Sequence, residues 1–245
     1  MINQVIKDLE AIIQLSQNAN SPLGYFAALY HRVTKKVEEG IHSNFFEDAP
    51  RMEIFDHVFA QRYIDAFYAN QKKESLTQSW QIAFDLSTDY WPIVLQHLLI
   101  GMNAHINLDL GIAAAEISKG KNIDDLKIDF YKMNEILSSL VIEVQDELAN
   151  IWPTLKHILQ RTQNVDDFLI DFSMEMARDG AWRFACELAA APEEEWPAII
   201  QTRDLKIAQK GNLVTSPGWA ASTAFKVVRL GERGSIADKV LSLTS

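Results

Sequence analysis

The stretch Pro92–Glu116, PIVLQHLLIGMNAHINLDLGIAAAE, restricts the possible folds more than any other part of the chain. It has the length and composition of one long helix, and it is apolar on almost every side. A helix of that kind must be enclosed by others, because no face of it favours water. Its few polar residues then need partners from neighbouring helices or from a ligand. The expected fold is therefore all-α: a single multi-helix bundle of about eight to ten helices around a buried core helix spanning about residues 92–117.

The flanking sequence fits this expectation. Ile2, Val5, Ile6, Leu9, Ile12 and Ile13 recur at helical spacing, as do Phe55, Val58, Phe59, Ala66 and Phe67. Leu126, Phe130, Met133, Leu137, Leu140, Val141, Val144 and Leu148 form a further stripe, and Phe168 to Ala191 reads as another helix. No pair of alternating segments joined by a hairpin turn is present. Residues 211–218 (GNLVTSPG) read as an irregular loop before a short helical tail, and residues 1–245 read as one domain.

Charge and composition exclude several functions. The formal net charge is -10, which phosphate backbones repel, so no nucleic-acid partner is expected. The N-terminus carries Asp8 and Glu10 where a secretion signal would be apolar. Gln96, His97, Asn103, His105, Asn107 and Asp109 interrupt the one long apolar run, which argues against a membrane span. No basic amphipathic stretch suggests a membrane-surface partner. With Cys186 as the sole cysteine, no intrachain disulfide can form, and a cytoplasmic location is expected.

The polar residues of the core helix are ordered. On a wheel of about 100° per residue, His97, His105, Asp109 and Glu116 share one narrow stripe; Gln96, Asn103 and Asn107 share another. His105 and Asp109 stand four residues apart and therefore face each other. That pair suits a general base held by a carboxylate, a divalent-metal pair, or a hydrogen bond that bolts helices together. The metal reading is the less favoured, since no E-x-x-H or H-E-x-x-H signature accompanies it. Asp109-Leu110 with Glu116 also looks like a fragment of the magnesium motif of class I terpene cyclases. Leu108 and Ile112 stand where that motif needs polar ligands.

Arg62 and Asp179 are charges set on apolar helix faces, which is costly without a partner. They are expected to meet Asp109 around the core helix. There they would form either a structural salt-bridge network or a catalytic cluster of His105, Asp109, Arg62 and Asp179. Asn103, Asn107, Arg178, Trp182 and Tyr63 are the candidate ligand-binding residues around a small-molecule substrate. Two function classes follow: an enzyme such as a hydrolase or lyase, or a non-catalytic binding or scaffold protein whose buried polar network is structural.

The segments DHVFAQRYIDAF, NAHINLDLGIAAAE and MARDGAWRFACELA together resemble a bacterial all-helical family of unknown function, DUF5995, with an NAHIN-x-DL hallmark helix. The likeness runs from Tyr25 onward. It implies that Arg62, Asn103, His105, Asn107, Asp109, Arg178, Asp179 and Trp182 are hallmark positions, and it implies no particular chemistry.

Overall fold

A computed structural model describes residues 1–137, 139 and 174–244. Among them the chain is helical, with no strand. The first three helices are α1 (Ile2–Asn18), α2 (Leu23–His42) and α3 (Ala49–Lys72). A short α4 (Gln78–Asp85) leads to α5 (Val94–Ala104) and α6 (Leu110–Ile117). Residues 127–137 form α7, followed by α8 (Met174–Ala190) and α9 (Trp196–Thr215). The chain closes with α10 (Gly218–Gly231) and α11 (Ile236–Thr244).

Local chemistry sets several of these boundaries. Asp48 caps α3 by accepting the Arg51 amide at 3.0 Å, and Pro50 occupies the first turn, where its missing N–H costs nothing. At the other end Lys73 adopts φ 58, the left-handed conformation that stops a helix. The core helix starts at Val94 rather than Pro92, because the Ile93 amide turns back to the Gln96 side chain at 3.1 Å.

The core helix is enclosed as its composition requires. α2, α4 and α9 pack on its α5 half, and α3 and α8 pack on its α6 half. Among the described residues, Val94–Ile117 is the one helix long and apolar enough to cross a membrane, and it is buried through Ala115. It is not a uniform α-helix. His105–Asp109 form a π turn joining α5 to α6, so the backbone widens where the polar residues concentrate. A wider turn leaves a carbonyl without its usual partner. Arg203 of α9 donates from Nε to the Asn107 carbonyl at 3.1 Å.

Two glycines let neighbouring helices approach closely. Gly211 lies on α9, where a Cβ would stand 2.7 Å from Ile100 Cδ1. The segment expected to be an irregular loop at 211–218 is therefore corrected: α9 continues through Thr215, leaving only Ser216 and Pro217 between helices. The glycine that suggested a loop is a packing residue inside a helix. Gly111 is tighter in kind, since its Cβ would lie 2.8 Å from Phe184 Cδ1 and 2.9 Å from the Ala181 backbone oxygen. A backbone atom cannot swing aside, so Gly111→Ala is expected to cost about 1–3 kcal/mol by overpacking, measured by denaturant unfolding.

Candidate functional site

Asp109 is the hub of the interior. It is 1% exposed and closes the π turn. Its Oδ1 accepts from Arg62 Nε of α3 at 2.7 Å, and its Oδ2 accepts from Trp80 Nε1 of α4 at 2.8 Å. His105 Nδ1 lies 3.2 Å from the same Oδ2. Three elements are thus tied to one carboxylate. Burial alone would push the Asp109 carboxyl up, but the Arg62 guanidinium and His105 outweigh it and hold it below the usual range. Burial likewise opposes the Arg62 charge, and Asp109 reverses that, keeping Arg62 above its ordinary value.

An ionised Asp109 fixes the tautomer of His105. The carboxylate can only accept, so Nδ1 carries the proton and Nε2 bears the lone pair. Nε2 is buried and has no hydrogen-bond partner. The ring stacks on Phe59 at 3.8 Å and 8° and receives the edge of Tyr30 at 4.5 Å, with Phe26, Tyr63 and Trp80 completing the enclosure. Burial pushes the imidazole pKa down, against the pull of Asp109, and keeps the ring neutral.

Beside this box lie further buried polar atoms without partners: the Tyr30 and Tyr63 hydroxyls and both oxygens of Asp56. Burial, with a smaller contribution from Glu53, raises the Asp56 carboxyl to about 8. His97 is also buried, packed against Tyr25 at 5.7 Å, and burial lowers its pKa to about 3.

The expected cluster forms only in part. Arg62, His105 and Asp109 meet; Asp179 does not, because it lies on the exposed side of α8. The error lay in setting Asp179 on the apolar face of α8, which Ala181, Trp182, Phe184, Ala185 and Leu188 form away from it. Trp182 packs on Phe130 at 4.9 Å and Tyr131 at 6.3 Å, as a core residue. The Arg178 side chain lies outside the described residues. Tyr63 does line the His105 box. Asn103 donates to the Ile207 carbonyl at 3.0 Å, and Asn107 donates to Asn103 Oδ1 at 3.2 Å. The Asn103 amide thus joins α9 to the core helix, and the Asn107 amide holds Asn103 in place.

Sequence reasoning missed two further carboxylate hubs. Asp204 of α9 is buried and accepts from the Gln78 amide, the Ser79 amide and the Ser79 hydroxyl, capping α4 from another helix. Glu232 accepts from Arg229 and from Lys239 Nζ at 2.6 Å. Asp204 was detectable: it shares a helix face with Ile200, Ile207, Gly211 and Val214, the same criterion that singled out Arg62. Asp129 of α7 is a further buried carboxylate and holds the entry to α3, accepting from the Glu47 and Asp48 amides and from Arg51.

The donor set does not suit a metal ion. Both Asp109 oxygens already accept N–H bonds, and His105 turns its protonated nitrogen toward them. Among the described residues no three His, Cys, Asp or Glu side chains converge as metal ligands. Space is also short near the box. A cavity of about 20 Å³ is lined by Phe26, Tyr63, Trp80, His97 and Gly101, among others. It has room for about one water molecule. A groove of about 440 Å³ lies elsewhere, between the start of α3 and the end of α6.

Over residues 2–217 the sequence matches the family of unknown function DUF5995. The chain belongs to this family. The DUF5995 match takes in α1, so it begins earlier than the likeness read from Tyr25, and it stops just before α10. No curated protein and no solved structure matches the chain.

Proposed function

We propose that this DUF5995 protein is a non-catalytic binding protein whose His105–Asp109–Arg62–Trp80 cluster is structural, and whose small-molecule site lies away from it. One observation carries the reading: the carboxylate is saturated by three N–H groups from three elements, while His105 is sealed between aromatic rings. A polar network satisfied in this way fixes helix register. Room for a ligand exists in the 440 Å³ groove, which has Ile54, Ile117 and Leu126 as its apolar wall and carries Arg51 and Lys121 beside Asp48 and Asp125. Arg51 is held on Asp129 at 2.8 Å. Charges of both signs over a short apolar wall match a small zwitterion.

The test is a thermal-shift screen of small zwitterions such as amino acids and betaines. Ile54→Trp narrows the groove from an exposed position on its wall that takes no part in the hydrogen bonds to Asp129. A melting rise in the wild type that this variant lacks is the expected result. No shift with any zwitterion, or an equal shift in both proteins, would refute the groove as the site.

A second reading has a specific observation in its favour. His105 Nε2 is an unprotonated acceptor without a partner, which is the state a general base needs. In that reading the enzyme opens at the aromatic box to admit substrate. Diethylpyrocarbonate separates the two: the structural reading expects His105 to resist modification in the folded protein, and the catalytic reading expects it to react.

A further inference from the structure

The helix α10 is apolar on two opposite sides. Phe225 and Val228 are buried against the body. On the other side Trp219 is 85% exposed, Val227 57% and Leu230 72%. At helical spacing these three residues and Lys226 form one outward stripe about half a turn from Phe225. A helix with a second apolar stripe ordinarily has something covering it.

The surroundings extend this stripe. Tyr90 and Trp91 are 66% and 45% exposed and pack together at 5.3 Å. Lys226 Nζ lies 5.5 Å from the Trp91 ring, and the Arg229 guanidinium 5.0 Å from Tyr90, which pins the aromatic pair to the side of α10. The charge is distinctive as well. Residues 218–245 hold four Lys or Arg against two acids, in a chain whose net charge is -10. Arg229 and Lys239 are paired with Glu232, which leaves the exposed Lys226 and Arg233 as the outward cations. This basic, doubly apolar addition also lies beyond the part that matches the family, which ends at residue 217.

We infer that the outer face of α10, with Tyr90 and Trp91, docks on an anionic phospholipid surface. Tryptophan, tyrosine and branched apolar side chains flanked by Lys and Arg are the composition that settles at the boundary between headgroups and acyl chains. The local positive charge selects anionic headgroups, while the acidic remainder of the chain is repelled by them and stays in solvent. Docking through one short face is peripheral and reversible, and it leaves the buried core helix where it is. The reading of the sequence expected no membrane partner because it looked for a run of cations; the structure places the cations beside exposed aromatics from two separate segments.

The whole chain is to be mixed with vesicles of phosphatidylcholine alone and of phosphatidylcholine with phosphatidylglycerol. Flotation measures partition, and tryptophan emission reports the environment of the exposed rings. Flotation with the anionic vesicles is expected, with a blue shift that Trp219→Phe diminishes. The triple variant Trp219→Ser, Val227→Ser, Leu230→Ser should lose flotation while keeping its melting curve, as all three side chains are exposed. Lys226→Glu combined with Arg233→Glu should weaken partition by about tenfold or more. Absence of flotation with both vesicle types, or flotation that the triple variant retains, would overturn the inference. So would self-association of the wild type in light scattering that the triple variant abolishes without any vesicle binding, which would assign the face to a second copy.

Discussion

Asp109→Ala is expected to lower folding stability by about 3–5 kcal/mol, the range for removing one partner from a buried charged pair. The size follows from what the substitution leaves behind. Arg62 loses the carboxylate 2.7 Å from its Nε, and Trp80 Nε1 loses its acceptor in a buried setting. His105 loses the contact that sets its tautomer. Asp109→Asn keeps the shape and removes the charge, so it should still cost most of that amount, because Arg62 loses the one carboxylate it contacts directly and keeps only the weaker pull of Glu116 and Asp65. A domain is usually stable by only about 5–15 kcal/mol, so the alanine variant should unfold at clearly lower denaturant in equilibrium urea titrations. A change no larger than that of a typical surface substitution, within about 0.5 kcal/mol, would remove Asp109 from the centre of the fold.

Asp56→Asn should act in the opposite direction. The Asp56 carboxyl titrates at about 8 in the folded protein because it is buried, whereas an unfolded aspartate titrates near its ordinary 3.8. Between those values the folded state holds a proton that the unfolded state has released. The native stability contribution is complete below pH 3.8 and is lost as pH rises to about 8, at about 1.4 kcal/mol per pH unit at most. Buried His97, lowered to about 3, works the other way: it stays neutral while the unfolded histidine protonates below 6.5, so its contribution is lost as pH falls. His105 and His31 are lowered as well and act in the same sense. Above pH 6.5 the histidines are silent and Asp56 acts alone. Stability should therefore peak near pH 6–7 and fall toward pH 8, and Asp56→Asn should flatten the alkaline limb. A stability curve rising from pH 6.5 to 8 in the wild type would contradict the burial of Asp56.

Much of this architecture was legible in the sequence, for reasons that differ by element. The core helix announced itself because a run that is apolar on all sides has only one stable place. Arg62 and Asp109 were predictable partners because each is a charge on a buried face. Asp179 misled although the pattern was legible: it shares its exposed face with Arg183 and Glu187, while Ala181, Trp182, Phe184, Ala185 and Leu188 form the buried stripe elsewhere. The π turn left no mark in the residue pattern, and the Arg203 that takes the Asn107 carbonyl comes from α9, far along the chain. Gly211 misled for a related reason. A glycine in sequence reads as a breaker, and only the proximity of Ile100 shows it to be a close-packing residue.

The central claim is that His105 is held neutral and closed off as part of a structural hub. It is tested most directly by the ¹⁵N spectrum of the His105 imidazole across pH 5 to 8, with Asp109→Asn as the comparison. A single Nδ1-protonated tautomer is predicted, unchanged through the range in which an exposed histidine titrates, and disturbed in the Asp109→Asn protein. A His105 ring that titrates near 6.5 in the folded wild type, with Nε2 exchanging protons freely with solvent, would contradict it.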